Sequence, residues 1–133
     1  MSIQKSADQF VAAINRQDVA AIYELMTEDH RFIDSEGQIF EGRERMRAGW
    51  EDYFKIVPDY RIEVSETFVS GDTIVFLRHG SGTYTSDGNL KLENYWQTPA
   101  AWKAVIIGEK VRLWQVFADN EPIRRIIRAE KSH

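Results

Sequence analysis

Met26-Thr27-Glu28-Asp29-His30-Arg31-Phe32-Ile33-Asp34-Ser35-Glu36-Gly37 is the stretch from which the rest of the chain is built outward. Two helical patterns lead into it, and Gln38-Ile39-Phe40-Glu41-Gly42-Arg43 follows it. Residues two apart on a strand share a face. A strand from His30 to Asp34 therefore turns His30, Phe32 and Asp34 the same way, so that a histidine and a carboxylate flank an aromatic ring. Ser35-Glu36-Gly37 has the composition of a tight turn, and Gln38 to Glu41 reads as a short returning strand.

Upstream, Ser2 or Ser6 can cap a first helix, and Ser6-Ala7-Asp8-Gln9 fits a capping box. Ile3, Ala7, Phe10 and Ile14 form its apolar stripe. Asp18 caps a second, short helix carrying Val19, Ile22, Leu25 and Met26. Downstream of Gly42 a third helix brings Met46, Trp50, Tyr53, Phe54 and Val57 to one face, and Pro58 ends it. Strands follow over Tyr60 to Val69, Thr73 to Tyr84, Leu90 to Ile107 and Val111 to Ala118. Pro99 marks a bulge or break in the third of these. Pro122 suits the first turn of a closing helix. Helices gathered on one side of an antiparallel sheet make an α+β fold.

Alternation assigns faces. In the long strand Lys91, Glu93, Gln97 and Lys103 share one parity, and Leu90, Leu92, Trp96, Trp102, Ala104 and Ile106 share the other. Charges prefer water, so the tryptophan parity faces the helices. In the last strand Trp114, Val116 and Ala118 oppose Leu113, Gln115 and Phe117. Both faces there are partly apolar, which fits a sheet whose outer face meets a second subunit.

The 133 residues read as a single domain, 1–133, with no linker, repeat or low-complexity run. The absence of cysteine removes thiolate nucleophiles, zinc–thiolate sites and disulfides, and suits a reducing, cytoplasmic setting. The first residues lack the charged-then-apolar layout of a signal peptide, and no apolar run reaches membrane-spanning length. A net charge of −4 disfavours nucleic acid. The basic group Arg124, Arg125, Arg128 and Lys131 fits the C-terminal end of the closing helix. With two histidines inside the fold and no HxH or HxxxH spacing, neither a metal site nor a cofactor is expected.

The chain resembles the nuclear transport factor 2-like superfamily, in its SnoaL-like and ketosteroid isomerase-like branch. The resemblance runs over nearly the whole chain. It is carried by Phe10-Val11-Ala12-Ala13-Ile14-Asn15 with Asp18, Asp34 to Gly37, Phe40-Glu41-Gly42-Arg43, Gly80-Ser81-Gly82-Thr83, and Gly108-Glu109-Lys110-Val111 leading to Trp114. It implies a cone, in which a strongly curved antiparallel sheet wraps around helices as in a cystatin-like roll. It also implies an apolar pocket open at one end and homodimers through the sheet. It does not select a reaction, because this fold hosts isomerases, cyclases, dehydratases, epoxide hydrolases and binding modules.

Asp34 matches the position of the catalytic base in ketosteroid isomerase-like enzymes, which pair a carboxylate with two oxyanion donors. The matching donor positions here hold Phe10, which has no hydroxyl, and Trp102, whose indole N–H is a weak substitute. Losing one such donor costs ~100- to 1000-fold in rate, which speaks against steroid isomerisation. The epoxide hydrolase pattern wants an arginine and a second aspartate near Asp34, with Arg78 and Arg112 as the available arginines. A dehydratase wants the types present in His30, Tyr53 and Asp34. A SnoaL-like cyclase, whose aspartate removes a proton next to a carbonyl, asks least of the sequence.

Each candidate also has a plainer reading. Asp34 is either a desolvated base beside Trp50 and Trp102 or a turn aspartate bonded to the backbone of Ser35-Glu36-Gly37. His30 lies ~13 Å from Asp34 along an ideal strand. It either holds the far end of a ligand or is a strand-entry residue partly in solvent. Trp50, Tyr53, Trp96, Trp102 and Trp114 are core residues first, but rings of this kind also line small-molecule pockets. Either Asp119 or Asn120 stands at the pocket rim, with parity from Trp114 turning Asn120 rather than Asp119 inward, or one of the two, or Glu121, caps the closing helix. The expected ligand is a small hydrophobic or aromatic molecule held by Phe10, Trp50, Tyr53, Trp96, Trp102, Trp114 and Asn120. Asp34 and His30 are the catalytic candidates. A carrier or sensor without chemistry, and a protein-interaction domain with a filled cavity, are the rivals.

Overall fold

A computed structural model describes residues 2–131. The Ser2 hydroxyl accepts the Lys5 backbone N–H at 3.2 Å and starts helix α1, Ile3–Asn15. Ser6 is not the cap: it lies inside the helix, buried, with its hydroxyl unpartnered. Asp18 caps α2, Val19–Glu24, accepting from the Ala21 N–H at 3.1 Å. Met26 then opens strand β1, Met26–Ile33, four residues earlier than the sequence pattern suggests. After β2, Ile39–Glu41, come α3, Arg43–Ile56, β3, Arg61–Ser70, and β4, Thr73–Thr83. The chain closes with β5, Tyr95–Ile107, β6, Lys110–Ala118, and α4, Glu121–Lys131.

The strands form one curved, open sheet in the order β2-β1-β6-β5-β4-β3. Four neighbouring pairs are antiparallel, and the β1–β6 pair is parallel, with α3 and four strands lying between them in the chain. Helix α1 packs inside the curve against β3, β4, β5 and β6, α3 covers β1 and β2, and α4 packs against β5. The fold is α+β.

Two expectations for β5 are corrected. It begins at Tyr95, so Leu90 and Leu92 never join the inward parity, and Leu92 is 92% exposed. Pro99 causes no break: β4 and β5 pair without a register shift from Thr73↔Val105 to Thr83↔Tyr95, through His79↔Pro99. The β5–β6 ladder stops at Ala100↔Ala118, so on that side the missing proline N–H has no partner to lose.

The inner face divides into a solid level and a hollow level. At the solid level Phe10, Ile14, Met26, His30, Ile74, Phe76, Val111 and Trp114 are all essentially fully buried. Phe10 packs on Trp114 with ring centroids 5.0 Å apart, and Phe76 lies 6.3 Å from Trp114. Each central strand crosses to the hollow level within a few residues: after His30 in β1, Phe76 in β4 and Trp114 in β6, and before Ala104 in β5. Among the described residues no helix is long and apolar enough to cross a membrane.

Candidate functional site

The hollow level encloses a cavity of about 520 Å³. Helix α3 contributes Met46, Trp50 and Tyr53 from one stripe and Arg45, Ala48, Gly49 and Asp52 from its shoulder. The sheet contributes Phe32, Phe40, Gly80, Trp96, Thr98, Ala100, Trp102, Val116 and Ala118. Asp34, Ser35 and Asn120 stand where β1 and β6 end, and Tyr60 stands just before β3.

The aromatic residues touch in series around the wall. Phe40 to Phe32 is 6.1 Å, Phe32 to Trp50 6.3 Å and Trp50 to Tyr53 6.3 Å between ring centroids. Tyr53 then meets Tyr60 edge-on at 5.2 Å, and Tyr60 reaches Trp96 at 6.2 Å. Such a wall favours flat apolar ligands.

Its polar atoms are mostly donors. The indole N–H groups of Trp50, Trp96 and Trp102 are buried without a hydrogen-bond partner among the described residues. Burial pushes the Tyr60 phenol up to about 12, and the approach of the Trp102 indole N–H to its oxygen opposes that rise. This approach falls short of full hydrogen-bond geometry, since Trp102 Nε1 has no bonded partner. Burial, followed by the neighbouring Tyr60 and Asp59, holds the Tyr53 phenol well above 10. Both phenols are therefore neutral donors near pH 7. Thr98 Oγ1 is committed to the Asp119 carbonyl at 2.9 Å, and Asn120 Nδ2 donates to Ser35 Oγ across the rim.

Asp34 combines a place on the cavity wall with the bonds of a turn aspartate. It lines the cavity, and its Oδ1 accepts the backbone N–H groups of Glu36 and Gln38, each at 2.9 Å. Oδ2 makes no bond among the described residues.

A SnoaL-like domain model matches residues 7–117. The chain belongs to the SnoaL-like domain family. No curated protein sequence matches it. Among solved structures, this SnoaL-like domain is similar to a proposed SnoaL-like polyketide cyclase from Shewanella denitrificans. The TM-score is 0.81 at 12% identity, over 96% of this chain and 97% of that one. An LEH-like epoxide hydrolase of M. tuberculosis gives 0.78 at 11% identity, over 98% and 95%. A protein of ketosteroid isomerase-like fold from Catenulispora acidiphila, solved with trimethylamine, gives 0.76 at 15%, over 89% and 88%. At these identities the likeness concerns the fold.

The cavity of this SnoaL-like domain brings together Asp34, Trp50, Tyr53, Trp96, Trp102 and Asn120. It does not include Phe10, His30 or Trp114, which are fully buried at the solid level. Phe10 and Trp114 point inward as expected, and His30 does too, but all three lie beyond the cavity in the solid level. His30 is neither solvated nor beside the cavity: its Nδ1 lies 2.8 Å from the Val111 carbonyl, and its ring is 6.2 Å from Phe10. This removes the histidine from a dehydratase-type trio with Tyr53 and Asp34. Arg78 and His79 both lie against Glu63, at 3.9 and 3.5 Å, and Arg112 pairs with Asp29 at 3.3 Å. None of the three lines the cavity, and no ion pair joins the lining Arg45 to Asp34 or Asp52 among the described residues.

Tyr60 and the α3 shoulder escaped the sequence reading. Tyr60 shares the parity of the buried Ile62, which was the available signal. Arg45, Gly49 and Asp52 follow helical spacing one residue away from Met46, Trp50 and Tyr53, so they flank the apolar stripe.

Proposed function

We propose that this SnoaL-like domain binds a flat, ring-containing apolar molecule in the aromatic cavity and removes a proton next to one of its carbonyl groups with Asp34. The observation that carries this reading is a carboxylate with one uncommitted oxygen on the wall of a cavity whose larger side chains are mainly aromatic. In the proposed step Oδ2 takes the proton from the carbon. The C–H electron pair moves into the enolate, whose oxygen accepts a hydrogen bond from the Tyr60 or Tyr53 hydroxyl. Returning the proton to a different carbon gives an isomerase. Attack of the enolate carbon on a second carbonyl gives a cyclase. The tyrosines take over a role that Phe10 cannot fill.

The rival is a carrier or sensor, supported by the two turn bonds of Asp34, which give the residue a structural reason to exist. Asp34→Asn separates the two readings, because an asparagine Oδ1 keeps both backbone bonds. Hydrogen–deuterium exchange next to the carbonyl of 2-tetralone, followed by NMR, reports proton abstraction without requiring the natural substrate. The base reading expects protein-catalysed exchange that falls by about 100-fold or more in Asp34→Asn, with ligand affinity little changed. Exchange equal in both proteins would leave the carrier.

The outer face of the sheet is the surface we assign to a second copy of the chain. Leu77, Ala101 and Phe117 align across β4, β5 and β6, and Phe68 and Phe117 are 57% and 51% exposed. Light scattering should give a dimer that Phe117→Glu weakens, and a monomer at all concentrations would refute the assignment.

A further inference from the structure

The mouth of the cavity carries a cation seated against an aromatic ring, with no counter-ion among the described residues. Three arginines lie near the start of α3. Arg43 sits over the Tyr23 ring at 4.4 Å. Arg47 sits over the same ring at 4.9 Å and pairs with Glu51 at 3.7 Å. Both are occupied away from the cavity. Arg45 alone of the three lines the cavity, and its guanidinium carbon lies 5.0 Å from the centroid of Phe40, another lining residue. It makes no ion pair among the described residues. Contact with a ring positions a guanidinium while leaving donors for a planar anion.

The two carboxylates lining the same cavity have partners other than Arg45, Asp34 keeping only Oδ2 for the proton transfer proposed above. Asp52 faces Lys55 at 3.8 Å, and Asp34 Oδ1 holds two backbone N–H groups. Deeper in, the polar atoms of the tryptophans and tyrosines are donors too, so an acceptor-rich ligand meets complementary groups at both ends.

We infer that Arg45 is a specificity residue that pairs with a carboxylate or phenolate on the ligand, seating the anion at the mouth and the ring inside. This rests on the cavity being the ligand site, as proposed above. It narrows the ligand from any flat apolar molecule to an acidic ring compound.

The test is calorimetric titration of the full chain with three probes of one ring system: 2-naphthoate, 2-naphthamide and 2-naphthylmethylammonium. The expected order in 20 mM salt is naphthoate about five- to ten-fold tighter than naphthamide, with the ammonium weakest. In Arg45→Gln the naphthoate should fall to the naphthamide level while naphthamide binding stays unchanged. Raising the salt to 500 mM should shrink the preference in the wild type alone. Equal binding of naphthoate and naphthamide, tightest binding of the ammonium, or an acid preference that survives Arg45→Gln would each overturn the inference and leave the cavity reading standing. No binding of any probe would overturn the cavity reading, and the inference with it.

Discussion

Gly82→Ala should destabilise the protein through a single contact. A Cβ built on Gly82 would lie 2.4 Å from Val57 Cγ1, 3.4 Å from Trp96 Cζ2 and 3.5 Å from Tyr60 Cα. Val57 cannot easily give way. It is fully buried at the C-terminal cap of α3, its N–H bonds the Tyr53 carbonyl at 2.8 Å, and its carbonyl accepts the Tyr60 N–H at 3.2 Å. A β-branched side chain is also stiff at χ1. Overpacking of this kind costs about 1–3 kcal/mol, or about 5–10 °C in melting temperature at the midpoint of that range. Val57→Ala alone should cost about 2–3 kcal/mol through lost burial and a small void. In the double variant the new methyl occupies the space that Val57 leaves. The combined loss, read by urea unfolding, should therefore fall short of the sum by about 1 kcal/mol or more. Additivity within about 0.5 kcal/mol would refute the reasoning, because it would mean that the methyl and Val57 do not compete for the same space. Trp96 and Tyr60 line the cavity, so Gly82→Ala should weaken ligand binding as well as stability.

Further outcomes follow from burial. His30 Nδ1 bonds a carbonyl, which only accepts, so the neutral ring carries its proton there and Nε2 is bare, with no partner among the described residues. Burial lowers its pKa, against smaller opposing effects of the Val111 carbonyl and Asp29. The unfolded chain then binds the proton more readily, and stability should fall as the pH drops below about 6.5. Urea midpoints should decline more steeply from pH 7 to 5 in the wild type than in His30→Asn, and parallel slopes would refute this. For Tyr60, raised to about 12, stability is whole below pH 10 and is lost as the pH rises from there toward 12. Phenolate absorbance of the native protein should show one phenol fewer near pH 12 in Tyr60→Phe, and an unchanged titration would show that the phenol is not held as described. Leu90→Ser and Leu92→Ser should each move stability by no more than about 0.5 kcal/mol, as exposed sites do; a loss above about 1 kcal/mol would return them to the core.

Periodicity made the faces legible but not the levels. Phe10 and Trp114 point inward as their patterns indicate, and so does His30, for which the pattern leaves a place partly in solvent equally open. Whether an inward residue meets a neighbour or a void depends on how far along the axis it lies, and a period of two carries no such information. His30 and Phe32 share a face of β1, yet one is sealed beneath Phe10 and the other walls the cavity. Asp34 was ambiguous for a different reason: its turn role and its cavity position are compatible, and the structure shows both. What opens the cavity is the register between strands. Gly80 pairs with Thr98 between β4 and β5, and in the neighbouring row Ala100 pairs with Ala118 between β5 and β6, so small side chains lie side by side on this part of the sheet. The next row, Phe76, Trp102 and Val116, carries larger side chains and forms the boundary with the solid level, Trp102 and Val116 still facing the cavity. The tryptophans and tyrosines then stand around a gap that the sheet leaves between them, instead of meeting over it. Gly80, Thr98, Ala100 and Ala118 were visible in the sequence as small residues. Their alignment required an unbroken register through Pro99, the position at which the sequence pattern expected a break.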